Sequence, residues 1–321
     1  MKRFRDSSLL ILLSMVLLTT GCVNKQAAHL GKGAASYRLT DSKGHIVQVV
    51  AKPQRIVSLG ISMDEILIDL VPAQRIAALS YLADDSTISN IVDKAWQVPK
   101  RVTADAEVII YLQPDLVLVP DWQPVELIHI LRDAGIPVYV YKAPNTIEEI
   151  KQVIAETAGI TGEEEAGARI IAGMDAELAT IASKIKQVPL DERQVVIRYG
   201  TTGVSGGQGS TFDSICRYAG VLNGAALAGL GMNGQLSKEQ LVKVNPDVFL
   251  LPIWDRSKTI SDMTQFKADI LLDPALRDIK AIREHRLVNV PDTHMYCASQ
   301  YVVYGVNDVA RAAYPQYFRQ P

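Results

Sequence analysis

Two stretches of this chain align without a gap. The first is Glu107-Val-Ile-Ile-Tyr-Leu-Gln-Pro114-Asp115-Leu-Val-Leu-Val-Pro120-Asp-Trp122. The second is Glu239-Gln-Leu-Val-Lys-Val-Asn-Pro246-Asp247-Val-Phe-Leu-Leu-Pro252-Ile-Trp254. Glu, Pro-Asp, Pro and Trp fall in register, 132 residues apart. A helix-capping residue type, Asp105 or Ser237, stands two places before each Glu. Each copy therefore reads as a short helix, a Pro-Asp turn and an apolar strand ending near a Trp. A repeat of one supersecondary unit at this spacing predicts two lobes of similar construction. The 321 residues leave room for both, at about 150 residues per domain.

The elements around each copy fit that reading. Strands are expected at 55–59, 75–79, 116–119 and 137–141 in the first half, and at 195–198, 248–251 and 287–290 in the second. Helices are expected at 62–70, 124–134 and 211–219. Strands alternating with helices imply an α/β fold with mainly parallel sheets. Between the halves, Ile170, Ile171, Met174, Leu178, Ile181 and Ile185 recur at helical spacing. Glu163 to Glu165 suit a helix start, and Pro189 stops the run. The expectation is one long helix over 162–188 joining a lobe at 45–161 to a lobe at 189–321, with a ligand cleft between them.

The N-terminus reads as an export signal over residues 1–21. Lys2, Arg3 and Arg5 precede the apolar run Leu9 to Leu18, which is shorter than the roughly 20 residues a membrane span needs. Thr19-Thr20-Gly21 before Cys22 resembles a bacterial lipobox with Thr in place of the usual leucine. Cys22 is the expected lipidation site, and 22–44 the tether and the start of the fold. Cys216 and Cys297 remain as the other cysteines, and one disulfide between them is conceivable but not fixed by sequence. With 33 basic against 35 acidic residues and five histidines, the chain is a poor electrostatic partner for nucleic acid.

At this point the chain resembles the substrate-binding lipoproteins of ABC importers for iron-siderophores, haem and cobalamin. The matching stretches are Lys52-Pro-Gln-Arg-Ile-Val-Ser-Leu59, Asp64-Glu-Ile-Leu67, Gln113-Pro-Asp-Leu-Val-Leu118 and Gly209-Ser-Thr-Phe-Asp-Ser-Ile-Cys-Arg-Tyr-Ala-Gly220. Ser237-Lys-Glu-Gln-Leu241, Asn245-Pro-Asp247, Ala281 to Pro291 and the tail Tyr301 to Phe318 match as well. Val71 departs from the family's usual Gly. The resemblance implies two α/β lobes on one backbone helix, an extracytoplasmic lipid-anchored monomer, and no catalysis and no resident cofactor or metal. It implies an iron complex or a corrinoid as ligand, siderophore ahead of haem and cobalamin as runner-up. It also implies an ABC permease dimer with its ATPase as partner, met by Glu107 and Glu239, one from each lobe.

Ligand contacts are expected near the carboxyl ends of strands, where open α/β sheets bind. Trp122 and Trp254 offer aromatic walls, and Ser62, Tyr81, Tyr199, Arg198 and Arg256 polar contacts. Arginine suits an anionic ferric complex. His294 and Tyr296, in Pro291-Asp-Thr-His-Met-Tyr-Cys297, are the candidate haem-iron ligands. The run Gly203 to Thr211 lacks the Walker lysine and reads as a flexible cleft-edge loop. No His-Glu-x-x-His motif supports an enzyme. A surface interaction or signalling protein on the same fold is the other alternative.

Overall fold

The computed structural model describes residues 36–232, 234–253 and 260–318. Cys22, Trp254 and Arg256, with the signal and most of the tether, lie outside these residues. The described chain opens with an antiparallel hairpin, β1 (Tyr37–Thr40) and β2 (Ile46–Val49). Asp41 Oδ1 holds its turn by accepting from Lys43 N and His45 N, each at 2.9 Å. No element was expected there, since each strand has only four residues and one lies almost wholly on the surface.

The first sheet contains β3 (Ile56–Ser58), β4 (Ile76–Ser80), β5 (Arg101–Val102), β6 (Leu116–Pro120) and β7 (Val138–Tyr141), in spatial order β5-β4-β3-β6-β7 and parallel throughout. The second contains β8 (Val195–Gly200), β9 (Gly203–Val204), β10 (Leu222–Asn223), β11 (Val248–Pro252) and β12 (Leu287–Val290). Its order is β10-β8-β11-β12, again parallel, with β9 returning antiparallel onto β8. The inner orders β4-β3-β6-β7 and β10-β8-β11-β12 are equivalent, so the sequence repeat is a repeat of topology. In each sheet the strand order reverses beside the first strand. The crevice at the carboxyl ends of β3/β6 and β8/β11 is therefore the favoured ligand position.

The repeated Pro-Asp has a direct structural reason. Asp115 accepts from Gln54 N at 2.6 Å and Arg55 N at 2.8 Å, at the entry of β3. Asp247 Oδ2 accepts from Val195 N at 2.7 Å, at the entry of β8. Each carboxylate pins the first strand of its sheet to the strand that the Asp itself precedes. The residues just before the two prolines, Gln113 and Asn245, share a left-handed φ of 48°. That turn reverses the chain out of the helices Ala106–Tyr111 and Lys238–Val244.

The expected long helix runs from Glu164 to Ile185, about 33 Å at 1.5 Å per residue. It does not stand alone. A second helix, Ile147–Thr161, precedes it, and Gly162 at φ 70° makes the turn between them. Gly167 lets the pair close, because a Cβ there would sit 2.5 Å from that of Ala158. The helix Glu164–Ile185 also packs on Val302–Ala313 and Ile61–Leu70. One hydrophobic core follows: Ile56, Met63 and Leu116 from the first half share it with Met174 and Leu178, and with Val196, Phe212 and Val306 from the second. The helix Ile61–Leu70 ends at Val71, which is buried and extended, in place of a left-handed glycine cap.

Replacing either pinning carboxylate leaves strand-entry N–H groups without their acceptor. Asp115→Ala and Asp247→Ala should each lower the free energy of unfolding by about 1–3 kcal/mol. Urea midpoints measure this, and unchanged midpoints for both variants would remove the pinning role.

Candidate functional site

Alternation along β8 decides which side chains reach the crevice. Successive strand residues point to opposite faces. Ile197 and Tyr199 turn to the outer core of the second sheet, where the Tyr199 ring stacks on Phe266 at 6.0 Å and meets Phe249 edge-on at 5.5 Å. Val196 and Arg198 turn to the other face. Arg198 and Tyr199 cannot both face the cleft, and Tyr199 belongs to an aromatic packing cluster.

Arg198 lines a cavity of about 290 Å³ with Thr201, Thr202, Ser205, Pro252, Asp292, Met295 and Tyr296, closed on the first-lobe side by Thr87 and Ile88. A second cavity of about 180 Å³ shares Arg198, Ser205, Met295 and Tyr296 and adds Asn145, Phe212 and Met232. The two are neighbouring parts of one crevice. The guanidinium lies 4.1 Å under the ring centroid of Tyr296 and 5.7 Å from that of Phe212. Its Nη2 donates to Ser205 Oγ at 2.8 Å. Its Nε is buried and meets no hydrogen-bond acceptor. Burial pulls the Arg198 pKa below its ordinary value, opposed by the nearby Asp292 carboxylate. A half-buried guanidinium with a spare, inaccessible Nε donor beside hydroxyls and an aromatic ring is equipped to take an anionic, oxygen-rich group.

The other expected contacts scatter. Trp122 stands 64% exposed beyond the carboxyl end of β6, and Tyr81 is exposed at that of β4. Both lie on the crevice edge of the first sheet but outside the two cavities. Ser62 is half-buried in the helix Ile61–Leu70, also outside them. Tyr296 lines both cavities and is 60% exposed. His294 turns elsewhere: its Nδ1 lies 2.6 Å from Asp308 Oδ2, and its ring is tilted against Tyr304 at 5.3 Å. It is not a cavity residue, so His294 and Tyr296 do not converge on one point. Among the described residues, no group of three or more His, Cys, Asp or Glu is placed to hold a metal ion. Cys216 and Cys297 are both buried and free, not paired with each other.

The glycine run after β8 is more ordered than a flexible loop. Tyr199 and Gly200 pair with Val204 and Gly203 as a tight return that delivers Ser205 to Arg198. Gly207 then passes so close to the carbonyl of Leu230 that a Cβ would lie 2.1 Å from it. Glu107 and Glu239 occupy the expected first turns and are exposed. Asp105 caps the helix of Glu107 through two N–H groups, and Ser237 caps that of Glu239 through a complete capping box. The backbone N–H of Glu239 at this helix start holds its carboxyl below the usual range.

Sequence reasoning missed the polar groups beneath the crevice. Asp64 is fully buried; its Oδ1 accepts from Ser80 N at 3.1 Å and its Oδ2 from Ser80 Oγ. Burial outweighs those bonds and pushes its pKa up to about 7. Glu65 beside it is buried too, and desolvation likewise raises its pKa. Two adjacent acids inside a helix whose other residues are mainly apolar were the available signal, because one helix face cannot bury both without partners.

A model of the family described as periplasmic binding protein matches residues 56–293, well over half of the chain. The chain is 24% identical over 308 residues to the iron-uptake system-binding protein of Bacillus subtilis (strain 168), covering 91% of this chain and 92% of that one. It is 25% identical over 268 residues to a cobalamin-binding protein of Halobacterium salinarum (strain ATCC 29341 / DSM 671 / R1), covering 82% and 70%. Among solved structures, the apo periplasmic haem-binding protein from Roseiflexus sp. RS-1 superposes with a TM-score of 0.68 at 24% identity, covering 82% and 99%.

The elevated Asp64 pKa has a defined sign. Between about pH 4 and pH 7 the native state keeps a proton that the unfolded chain has released, so this group's contribution to stability falls as pH rises. The slope is on the order of 1 kcal/mol per pH unit, and Asp64→Asn should remove it. Urea unfolding of both proteins at about pH 5 and about pH 7 tests this; parallel profiles would contradict it.

Proposed function

The chain belongs to the periplasmic binding protein family, whose members are substrate-binding proteins, and we propose that it captures an anionic iron complex and hands it to an ABC permease. The observation that carries this reading is Arg198. Its half-buried guanidinium, with one unengaged and inaccessible donor, sits at the carboxyl end of the strand beside the topological switch. Ferric siderophores present carboxylate, catecholate or hydroxamate oxygens, which match that donor and the surrounding Thr201, Thr202 and Ser205 hydroxyls. Haem ranks lower, because Asp308 already engages His294. The match to an iron-uptake binding protein over nearly the whole chain supports the same reading.

Cobalamin is the second reading, favoured by the relative named for that ligand. An electrically neutral corrinoid would draw less on Arg198 and more on the exposed rings of Trp122, Tyr81 and Tyr296. Glu107 and Glu239, at equivalent capped helix starts on the two lobes, suit basic side chains of a two-fold permease partner. Cys22 is the proposed lipid anchor, which places the protein at the outer face of the cell membrane or in the periplasm. The same reading assigns the protein no catalysis and a monomeric state.

Tryptophan fluorescence of the purified protein, titrated with ferric siderophores, haemin and cyanocobalamin, tests the ligand. Saturable quenching by a siderophore is expected, with Arg198→Gln weakening it about ten- to a hundredfold. Quenching by cyanocobalamin alone, unaffected by Arg198→Gln, would move the assignment to the corrinoid. The paired change Glu107→Arg with Glu239→Arg should abolish uptake by cells while leaving the titration unchanged. Normal uptake by that variant would sink the docking role.

A further inference from the structure

Glu65 is a buried carboxylate in the middle of the helix Ile61–Leu70, and its four closest donors come from two distant parts of the chain. Oε1 accepts from Asn90 N at 2.8 Å and from Asn90 Nδ2 at 2.9 Å. Oε2 accepts from Ser299 Oγ at 2.6 Å and from the Cys297 thiol at 3.3 Å. An ionised carboxylate is an acceptor only, with about four lone-pair positions, and all four are taken. The second-lobe segment is held at further points. Asn90 Nδ2 also donates to Thr293 O at 2.9 Å, and Gln300 Nε2 donates to the backbone carbonyl of Glu65 at 2.6 Å.

These bonds bracket Tyr296. Thr293 on one side is tied through Asn90, and Cys297, Ser299 and Gln300 on the other are tied to Glu65 itself. Between the ties lie His294, which Asp308 holds separately, the core residue Met295, and Tyr296; the last two line both cavities with Arg198. Tyr296 has no comparable anchor of its own: its ring is largely exposed and rests on the guanidinium. We propose that Glu65 is a positioning residue, a clasp from the first lobe that sets the second-lobe wall of the crevice, and that releasing the clasp loosens the segment Tyr296–Gln300 while Asp308 still holds His294. The clasp makes no contact with the ligand. It acts through Tyr296, and so its relevance to capture rests on the crevice being the ligand site.

The two buried cysteines report on this directly. Cys297 is part of the clasp, whereas Cys216 lies on the helix Thr211–Tyr218, outside it. Maleimide labelling of the native full chain, with peptide mass spectrometry reading each cysteine separately, compares the two. Loss of hydrogen bonds to a buried charge should raise the local opening rate seen at Cys297 about tenfold or more in Glu65→Gln, with Cys216 unchanged. A rate at Cys297 unchanged within about twofold would overturn the clasp, and so would an equal rise at both cysteines, which is the pattern of global unfolding. Ser299→Ala removes one donor while keeping the carboxylate; it should give a smaller rise at Cys297 alone, and serves if Glu65→Gln does not fold. A second arm adds a saturating ferric siderophore to the unsubstituted protein, which should slow Cys297 labelling. A Glu65→Gln effect without siderophore protection leaves the clasp standing and overturns the siderophore reading instead.

Discussion

Everything else in this molecule depends on a core that the two sheets share. The helix Glu164–Ile185 is buried along Gly167, Met174, Leu178, Ile181 and Ile185. Its neighbours in that core come from both halves of the chain. Separating the lobes would expose apolar surface on both sides, at roughly 25 cal/mol per Å². The crevice therefore lies between sheets held by packing as well as by a tether. The stretch from Pro291 to Gln300 belongs to this arrangement, since it adds Met295 and Cys297 to the same core.

The site is built by two kinds of constraint. Backbone topology brings the carboxyl ends of β3, β6, β8 and β11 to one crevice, and this is indifferent to side-chain identity. Strand alternation then admits Arg198 and rejects Tyr199. Desolvation does the remaining selection: the Arg198 guanidinium is half-buried in the crevice, and the Asp64 and Glu65 carboxyl groups and the Cys216 and Cys297 thiols are buried within the fold. Arg198 keeps one N–H donor unengaged, whereas both oxygens of Glu65 already accept hydrogen bonds. Family membership fixes the general task, and that difference is what nominates Arg198 ahead of Glu65 as the ligand contact.

Much of the framework was legible because repetition amplifies weak signals. Pro114-Asp115 alone predicts a turn; matched with Pro246-Asp247 it predicts a topology. The expected strands at 116–119, 248–251 and 287–290 lie within a residue of those observed, since continuous apolar runs between turn residues have few other uses. The hairpin at 37–49 and the helix Ile147–Thr161 carry weaker signals: the hairpin's strands have four residues each, and the helix is divided from the next one by Gly162 alone. The site was far less legible. Strand-end position nominated Arg198 and Tyr296, and both line the same two cavities. It nominated Tyr199 equally, because alternation cannot be phased until the core side is known. Glu65 gave no signal of its kind, as its partners Asn90, Cys297 and Ser299 are adjacent only after folding.

The two unpaired thiols carry a consequence for how such a chain reaches its native state. Cys216 and Cys297 are 1% and 5% exposed, and burial pushes both thiols well above their ordinary pKa. In the thiol form, out of reach of solvent, neither is a competent nucleophile. Before folding, both are ordinary cysteines in whatever redox environment the chain has entered. For a protein that matures outside the cytoplasm, folding thus becomes a race: core closure must outrun oxidation. An early disulfide between Cys216 and Cys297 would be incompatible with the native fold, in which both are buried as free thiols.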